Sequence, residues 1–231
     1  MTNDYSYIRR NFEELKGEIS DIAKKIGTNI PTLVAVTKSG TDDELIELVR
    51  AGASDIGENR PQEVRRRSEL IEAHGLFAKM HEIGTLQRNK VKTVIDKAVL
   101  IHSVDSYKLA CDIDRLAEKN GLVMPILIEV NSAKEECKGG VLPEDTEGLL
   151  NEILELKNVK LKGLMTMGPV SDTAEDLRKY FRLTKKLFDE LSAKYGFGED
   201  PILSMGMSDS YRVAIEEGST LVRVGRKLFI K

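Results

Sequence analysis

The chain has 231 residues, 41% of them hydrophobic, and its 35 basic and 38 acidic side chains leave a net charge of −3. This length suits one large α/β domain or two small ones, and the lack of a basic excess argues against nucleic acid as a partner. No apolar run approaches the roughly 18 residues of a membrane span.

In chain order, the N-terminus Met1-Thr2-Asn3-Asp4-Tyr5 is polar and lacks the apolar segment of a signal peptide. A helix is expected over 5–26, where Ile8, Phe12, Leu15, Ile19, Ile22 and Ile26 recur at spacings of three and four. Gly27 is its expected stop. Strands and helices then alternate. The strands read as 33–37, 54–57, 79–83, 98–102, 125–130, 160–165, 202–205 and 221–225. The helices between them read as 41–51, 60–73, 86–96, 106–119, 144–156, 173–195 and 208–217. Thr41 and Glu44 have capping-box spacing, and Asp105-Ser106, Ser171-Asp172 and Ser208-Asp209 offer further N-cap oxygens. Gly52, Gly121 and Gly218 fall where helices should end.

This alternation predicts a parallel sheet. Closed on itself, it becomes a single (β/α)8 TIM-type barrel over residues 1–231 with an extra N-terminal helix. An open doubly wound sheet is the competitor, but no Gly-x-Gly-x-x-Gly turn follows the first strand. Cys111 and Cys137 form neither a disulfide framework nor a zinc pattern, no His/Asp/Glu cluster has metal-ligand spacing, and a reducing cytoplasm is the expected compartment. Arg65-Arg66-Arg67 is read as a solvated helix face.

In such a barrel the chemistry gathers at the C-terminal ends of the strands. The first strand, Leu33 to Thr37, runs into Lys38. Half-burying an amine there would disfavour its charged form, and a neutral lysine amine can form a Schiff base with a carbonyl. The plainer reading is a strand-end lysine reaching for solvent. Gly57-Glu58-Asn59, His81-Glu82-Ile83-Gly84, Asn131, and Thr166 with Met167 occupy other strand ends. The densest signal is Leu203-Ser204-Met205-Gly206-Met207-Ser208-Asp209, then Arg223-Val224-Gly225-Arg226. Ser208 is expected to open a helix whose free N–H groups suit a phosphate. Gly225 would let the phosphate come close to the backbone. Barrel phosphate sites commonly use the loops after strands 7 and 8. Arg223, inside an apolar strand, needs a partner, protein or ligand. Lysine, phosphate cradle and strand arginine together describe a pocket for pyridoxal 5′-phosphate (PLP). The histidines His74, His81 and His102 carry little weight at this level.

Val36-Thr37-Lys38, Ile56 through Glu63, His81 through Lys90, Gly163 through Met167, Leu203 through Asp209 and Arg223-Val224-Gly225 together resemble the pyridoxal phosphate homeostasis proteins, whose fold is similar to the barrel domain of alanine racemase. The resemblance implies that Lys38 is the Schiff-base lysine and that Asn59 lines the cofactor. It implies that Ser208 and the backbone N–H groups of Gly225 and Arg226 cradle the phosphate, with Met207 in the same segment, and that Arg223 faces the pyridine nitrogen. Arg60, Pro61 and Arg226 depart from the family pattern; a threonine is common where Arg226 stands.

Racemisation needs a base on each face of the substrate. Lys38 supplies one, and no second is identifiable in the sequence. The expectation is therefore a monomeric PLP-holding protein, without efficient amino-acid turnover, that passes cofactor to apoenzymes. A racemase of low activity and a cofactor-free Schiff-base aldolase remain as alternatives.

Overall fold

The computed structural model describes residues 4–135, 139–169, 171 and 173–231. Among these, eight parallel strands close into a barrel in sequence order, β1 pairing with both β2 and β8. The strands are β1 (Thr32–Val36), β2 (Asp55–Glu58), β3 (Lys79–Glu82), β4 (Ala98–Val104), β5 (Met124–Glu129), β6 (Val159–Met165), β7 (Ile202–Ser204) and β8 (Leu221–Val224). The helices are α1 (Ser6–Ile26), α2 (Asp42–Arg50), α3 (Pro61–Ala73), α4 (Val91–Val94), α5 (Tyr107–Lys119), α6 (Thr146–Leu154), α7 (Arg178–Tyr195) and α8 (Tyr211–Glu216). The predicted (β/α)8 barrel with an added N-terminal helix is the observed fold.

Alternation along each strand builds two cores. Outward residues such as Ala35, Ile56, Met80 and Ile101 join the large apolar layer beneath the helices. Inward residues Val34, Leu100, Leu127, Met165 and Leu221 form a smaller cluster inside the barrel. The inward set also holds His81, His102, Ser204 and Arg223, all buried. The extra helix α1 buries Ile8, Phe12, Leu15 and Ile19 and packs on α2, α8 and a C-terminal 3₁₀ turn, Arg226–Phe229. Gly27 ends α1 at φ 73°, a left-handed cap that glycine adopts without strain.

Four helices are shorter than the pattern suggests by more than two residues, among them α6, which spans Thr146–Leu154 after a 3₁₀ turn Pro143–Asp145 where 144–156 is expected. Over 86–96, only a 3₁₀ turn (Arg88–Lys90) and the single-turn α4 form, because Gln87 is extended (ψ 139°) and Val91, Thr93, Val94 and Ile95 are β-branched. The helix expected from 173 begins as α7 at Arg178, after a 3₁₀ turn Glu175–Leu177. The proposed Ser171-Asp172 cap lies partly outside the described residues, as does Cys137; Ser171 itself donates to Asp176 Oδ2 at 2.9 Å. The helix expected from Ser208 begins at Tyr211. The Thr41/Glu44 capping box is formed in full, whereas Ser106 occupies an N-cap position without a side-chain hydrogen bond.

Candidate functional site at the barrel mouth

β1 ends at Val36, two residues before Lys38. The chain then turns, with Gly40 N donating to Thr37 O at 2.9 Å. Lys38 is exposed on this turn, as the plainer strand-end reading has it, and among the described residues its amine has no hydrogen-bond or ion-pair partner. The turn is clamped from below. Arg67 on α3 donates to Thr37 O at 2.7 Å and Gly40 O at 2.9 Å, and its guanidinium lies 3.2 Å from Glu58 Oε1. Arg67 is only 5% exposed. It therefore departs from the solvated face expected of Arg65-Arg66-Arg67, because three acceptors at the ends of β1 and β2 draw it inward. Gly40 completes the clamp; a Cβ there would fall 2.4 Å from the Phe229 ring.

Asn59 sits exposed just past β2. Its backbone is seated by Gly84, where a Cβ would come within 2.2 Å of Asn59 O. The glycine of His81-Glu82-Ile83-Gly84 thus sets the approach of two strand-end loops. Lys38, Ser39, Glu58, Asn59, Arg60 and Glu63 line a cleft of about 310 Å³. Burial pushes the carboxyls at this rim upward. Glu58 is raised despite opposing contacts from the Thr37 hydroxyl and Arg67. Glu82 reaches about 8, opposed only by the Gly84 N–H.

Across the mouth, Ser208 does not open a helix. Gly206, at φ 93°, turns the chain after β7, and Met207 through Ser210 form a further turn in which Ser210 and Tyr211 N–H groups both donate to Met207 O. Ser208 is buried in this turn, and its Oγ accepts the Gly225 N–H at 3.2 Å. That N–H lies past the end of β8 and has no strand partner, which explains the serine's orientation. Gly225 also has a packing role. A Cβ there would meet Val36 O at 2.8 Å, so the glycine serves the close packing of β8 against β1. Arg226 points outward to an ion pair with Asp209, and Met207 is exposed.

Arg223 is 3% exposed and lies inside the barrel, in register with Val34. Nη1 donates to Ser204 Oγ and Nη2 to Thr166 O at 3.1 Å. The remaining N–H groups, Nε among them, have no acceptor among the described residues. Burial lowers the guanidinium to about 10, with Glu129 pulling the other way. Glu129, near Asp105, is itself raised by burial to about 7.

The fold thus brings Ser208 to Gly225, sets Lys38 beside Asn59, and places both groups just past the adjoining strands β7, β8, β1 and β2. It sends Arg226 and Met207 toward solvent. Sequence reasoning missed Arg67 and Glu129, and it quoted His81 and Ser204 within strand-end motifs without giving either a role. His102 is fully buried between His81 and Ser204, at 3.0 Å from each. Its signal in the sequence was a histidine at an inward position of a strand.

The family model for the alanine racemase N-terminal domain matches residues 8–230. A pyridoxal phosphate homeostasis protein from Aquifex aeolicus is 45% identical over 203 residues, 88% of either chain. One from Helicobacter pylori is 37% identical over 203 residues, 87% of this chain and 88% of the other. The structure of PipY from Synechococcus elongatus with PLP bound matches at a TM-score of 0.84 and 29% identity, covering 96% of this chain and 100% of PipY. Alanine racemase from Clostridium difficile shares the fold at a TM-score of 0.72 and 17% identity, over 91% of this chain and 57% of the racemase. The chain belongs to the pyridoxal phosphate homeostasis protein family, built on the alanine racemase N-terminal-domain barrel.

Proposed function

We propose that this chain binds PLP at the barrel mouth and keeps it available for PLP-dependent apoenzymes, as a cytoplasmic monomer with one barrel domain spanning residues 1–231. PLP supplies an aldehyde that condenses with amines and a ring that withdraws electrons. The residues present fit such a group. Lys38 offers an amine without a protein partner, on a turn held by Arg67. Ser208 and the backbone N–H groups of Gly225 and Arg226 lie at the loops where barrels hold phosphates. Met207 and Asn59 flank these two sides of the mouth.

Arg223 is the observation that carries the reading. It is a buried cation with N–H groups left over, aimed into the same barrel. At about 10 its guanidinium stays protonated at neutral pH, so it donates hydrogen bonds and releases no proton to a ring nitrogen. A ring left unprotonated is a weak electron sink, which favours holding over turnover. Four of the six tyrosines, Tyr5, Tyr7, Tyr195 and Tyr211, donate to carboxylates of other elements, Asp43, Glu44, Glu147 and Glu18. A cofactor-free aldolase would leave the spare donors of Arg223 without a purpose.

Two assays on one PLP-loaded preparation test this function. Transfer of bound PLP to an apoenzyme should outrun spontaneous release into solution. Alanine or serine racemisation should stay well below about 1 per second, the lower end of ordinary turnover. Racemisation at that rate or faster would make the chain an enzyme, and transfer no faster than release would remove the delivery role.

A further inference from the structure

Five side chains from five strands form one continuous hydrogen-bonded row through the barrel. Arg223 (β8) contacts Ser204 Oγ (β7), and Ser204 Oγ lies 3.0 Å from His102 Nδ1 (β4). His102 Nε2 lies 3.0 Å from His81 Nδ1 (β3), and His81 Nε2 lies 3.1 Å from Asp55 Oδ1 (β2). Asp55 is the first residue of β2, at the end of the barrel away from the mouth. Both histidines, Ser204, Asp55 and Arg223 are buried.

The proton positions follow from matching donors to acceptors. The Arg223 guanidinium only donates, so Ser204 Oγ accepts from it. Burial opposes ionisation of Asp55, but hydrogen bonds from His81 and Ser54 outweigh it and lower its pKa, so Asp55 terminates the row as an acceptor. Burial, first of all, holds His102 well below 6.5, so it is neutral and carries one proton. If that proton sat on Nδ1, Ser204 Oγ would receive two donors and its own buried hydroxyl proton would have no acceptor among these contacts. With the proton on Nε2, every link is matched. Ser204 donates to His102, His102 to His81, and His81 to Asp55.

We propose that Asp55, His81 and His102 are positioning residues that fix Ser204 and, through it, the orientation of Arg223 toward the cofactor's pyridine nitrogen. The row ends on Asp55 at the opposite end of the barrel, while Glu129 is the carboxylate whose charge acts on Arg223. Among the described residues no carboxylate contacts the guanidinium directly; a neutral hydroxyl and the Thr166 carbonyl hold it, and its remaining N–H groups stay available. A carboxylate in direct contact would instead engage those N–H groups in a bidentate pair. This inference rests on the reading that Arg223 faces PLP.

The test is long-range ¹H–¹⁵N NMR of the full chain labelled with ¹⁵N-histidine, before and after PLP addition, together with PLP titration of variants. The chain has three histidines, and His74, whose Nδ1 lies 2.8 Å from Leu70 O, provides an Nδ1–H reference. At neutral pH both His81 and His102 should be neutral Nε2–H tautomers, and PLP should shift the His102 Nδ1 signal. Asp55→Ala should disturb the His102 signals, move the absorption band of bound PLP and weaken PLP binding about three- to tenfold, the worth of one buried hydrogen bond. Asp55→Asn keeps an acceptor oxygen and should stay within about twofold of the parent by the same reasoning. An Nδ1–H tautomer or an imidazolium at either site overturns the proposal, as does an Asp55→Ala chain with unchanged His102 signals and PLP band. If Asp55→Ala does not fold, Ser204→Ala takes its place. It should shift His102 Nδ1 and weaken PLP binding, and no change in either overturns the proposal. A parent chain that takes up no PLP defeats the cofactor reading, while the tautomers measured without PLP still decide the row.

Discussion

Ser208 Oγ accepts the backbone N–H of Gly225 at 3.2 Å, tying the turn after β7 to the end of β8. The contact joins the two loops proposed to hold the phosphate, with the Gly225 N–H directed at the Ser208 hydroxyl. Ser208→Ala removes the acceptor and leaves that N–H unmatched. PLP affinity should fall about ten- to a hundredfold, consistent with one hydrogen bond to a charged group, and the unmatched N–H should lower the melting temperature as well. Fluorescence titration with PLP measures the first and thermal unfolding the second.

Gly225→Val should act mainly on folding. Its Cβ would press on Val36 O at 2.8 Å, a backbone atom that can move only with β1. A loss of about 1–3 kcal/mol is expected, typical of overpacking, measured by denaturant unfolding without PLP. Full stability combined with lost PLP binding would instead favour a purely steric cradle.

Arg67 is the residue whose loss should couple stability to binding. It satisfies Thr37 O and Gly40 O and faces the buried Glu58 carboxylate. Arg67→Met leaves Glu58 without its buried cation, a change of about 3–5 kcal/mol when one partner of such a pair is removed. It also frees the turn that carries Lys38. Unfolding experiments should show the destabilisation, and PLP titration should show weaker binding in the fraction that remains folded.

Much of this arrangement was legible in the residues, and the reasons for the rest are physical. Period-2 and helical spacing are local, so the strand–helix rhythm and the Thr41/Glu44 cap could be read directly. Ser208 was misplaced because Gly206 and the Met207–Ser210 turn delay the helix to Tyr211, and a cap-like serine looks the same in either setting. Arg67 looked solvated because its acceptors, Thr37 O and Gly40 O, come from a segment about thirty residues earlier. The His102–Ser204 contact exists only because the barrel closes, bringing β4 and β7 side chains to its axis.

Glu82 gives a pH signature. Burial raises its carboxyl from 4.5 to about 8. Between those values the folded chain keeps a proton that the unfolded chain releases, so stability falls as pH rises through this window and levels off above about 8. Glu82→Gln keeps an oxygen for the Gly84 N–H and removes the titration. Urea unfolding at about pH 5 and about pH 8 should show a smaller loss for this variant than for the parent, by about 1–3 kcal/mol. Equal losses would mean that Glu82 ionises normally.

Borohydride reduction shows whether the Lys38 amine holds PLP. The PLP-loaded chain should show an absorption band that borohydride abolishes. Peptide mapping by mass spectrometry should then place the reduced pyridoxyl group on the peptide containing Lys38, and Lys38→Ala should remove the label. A label on another lysine, or none on a chain that binds PLP, would exclude Lys38 as the cofactor's amine.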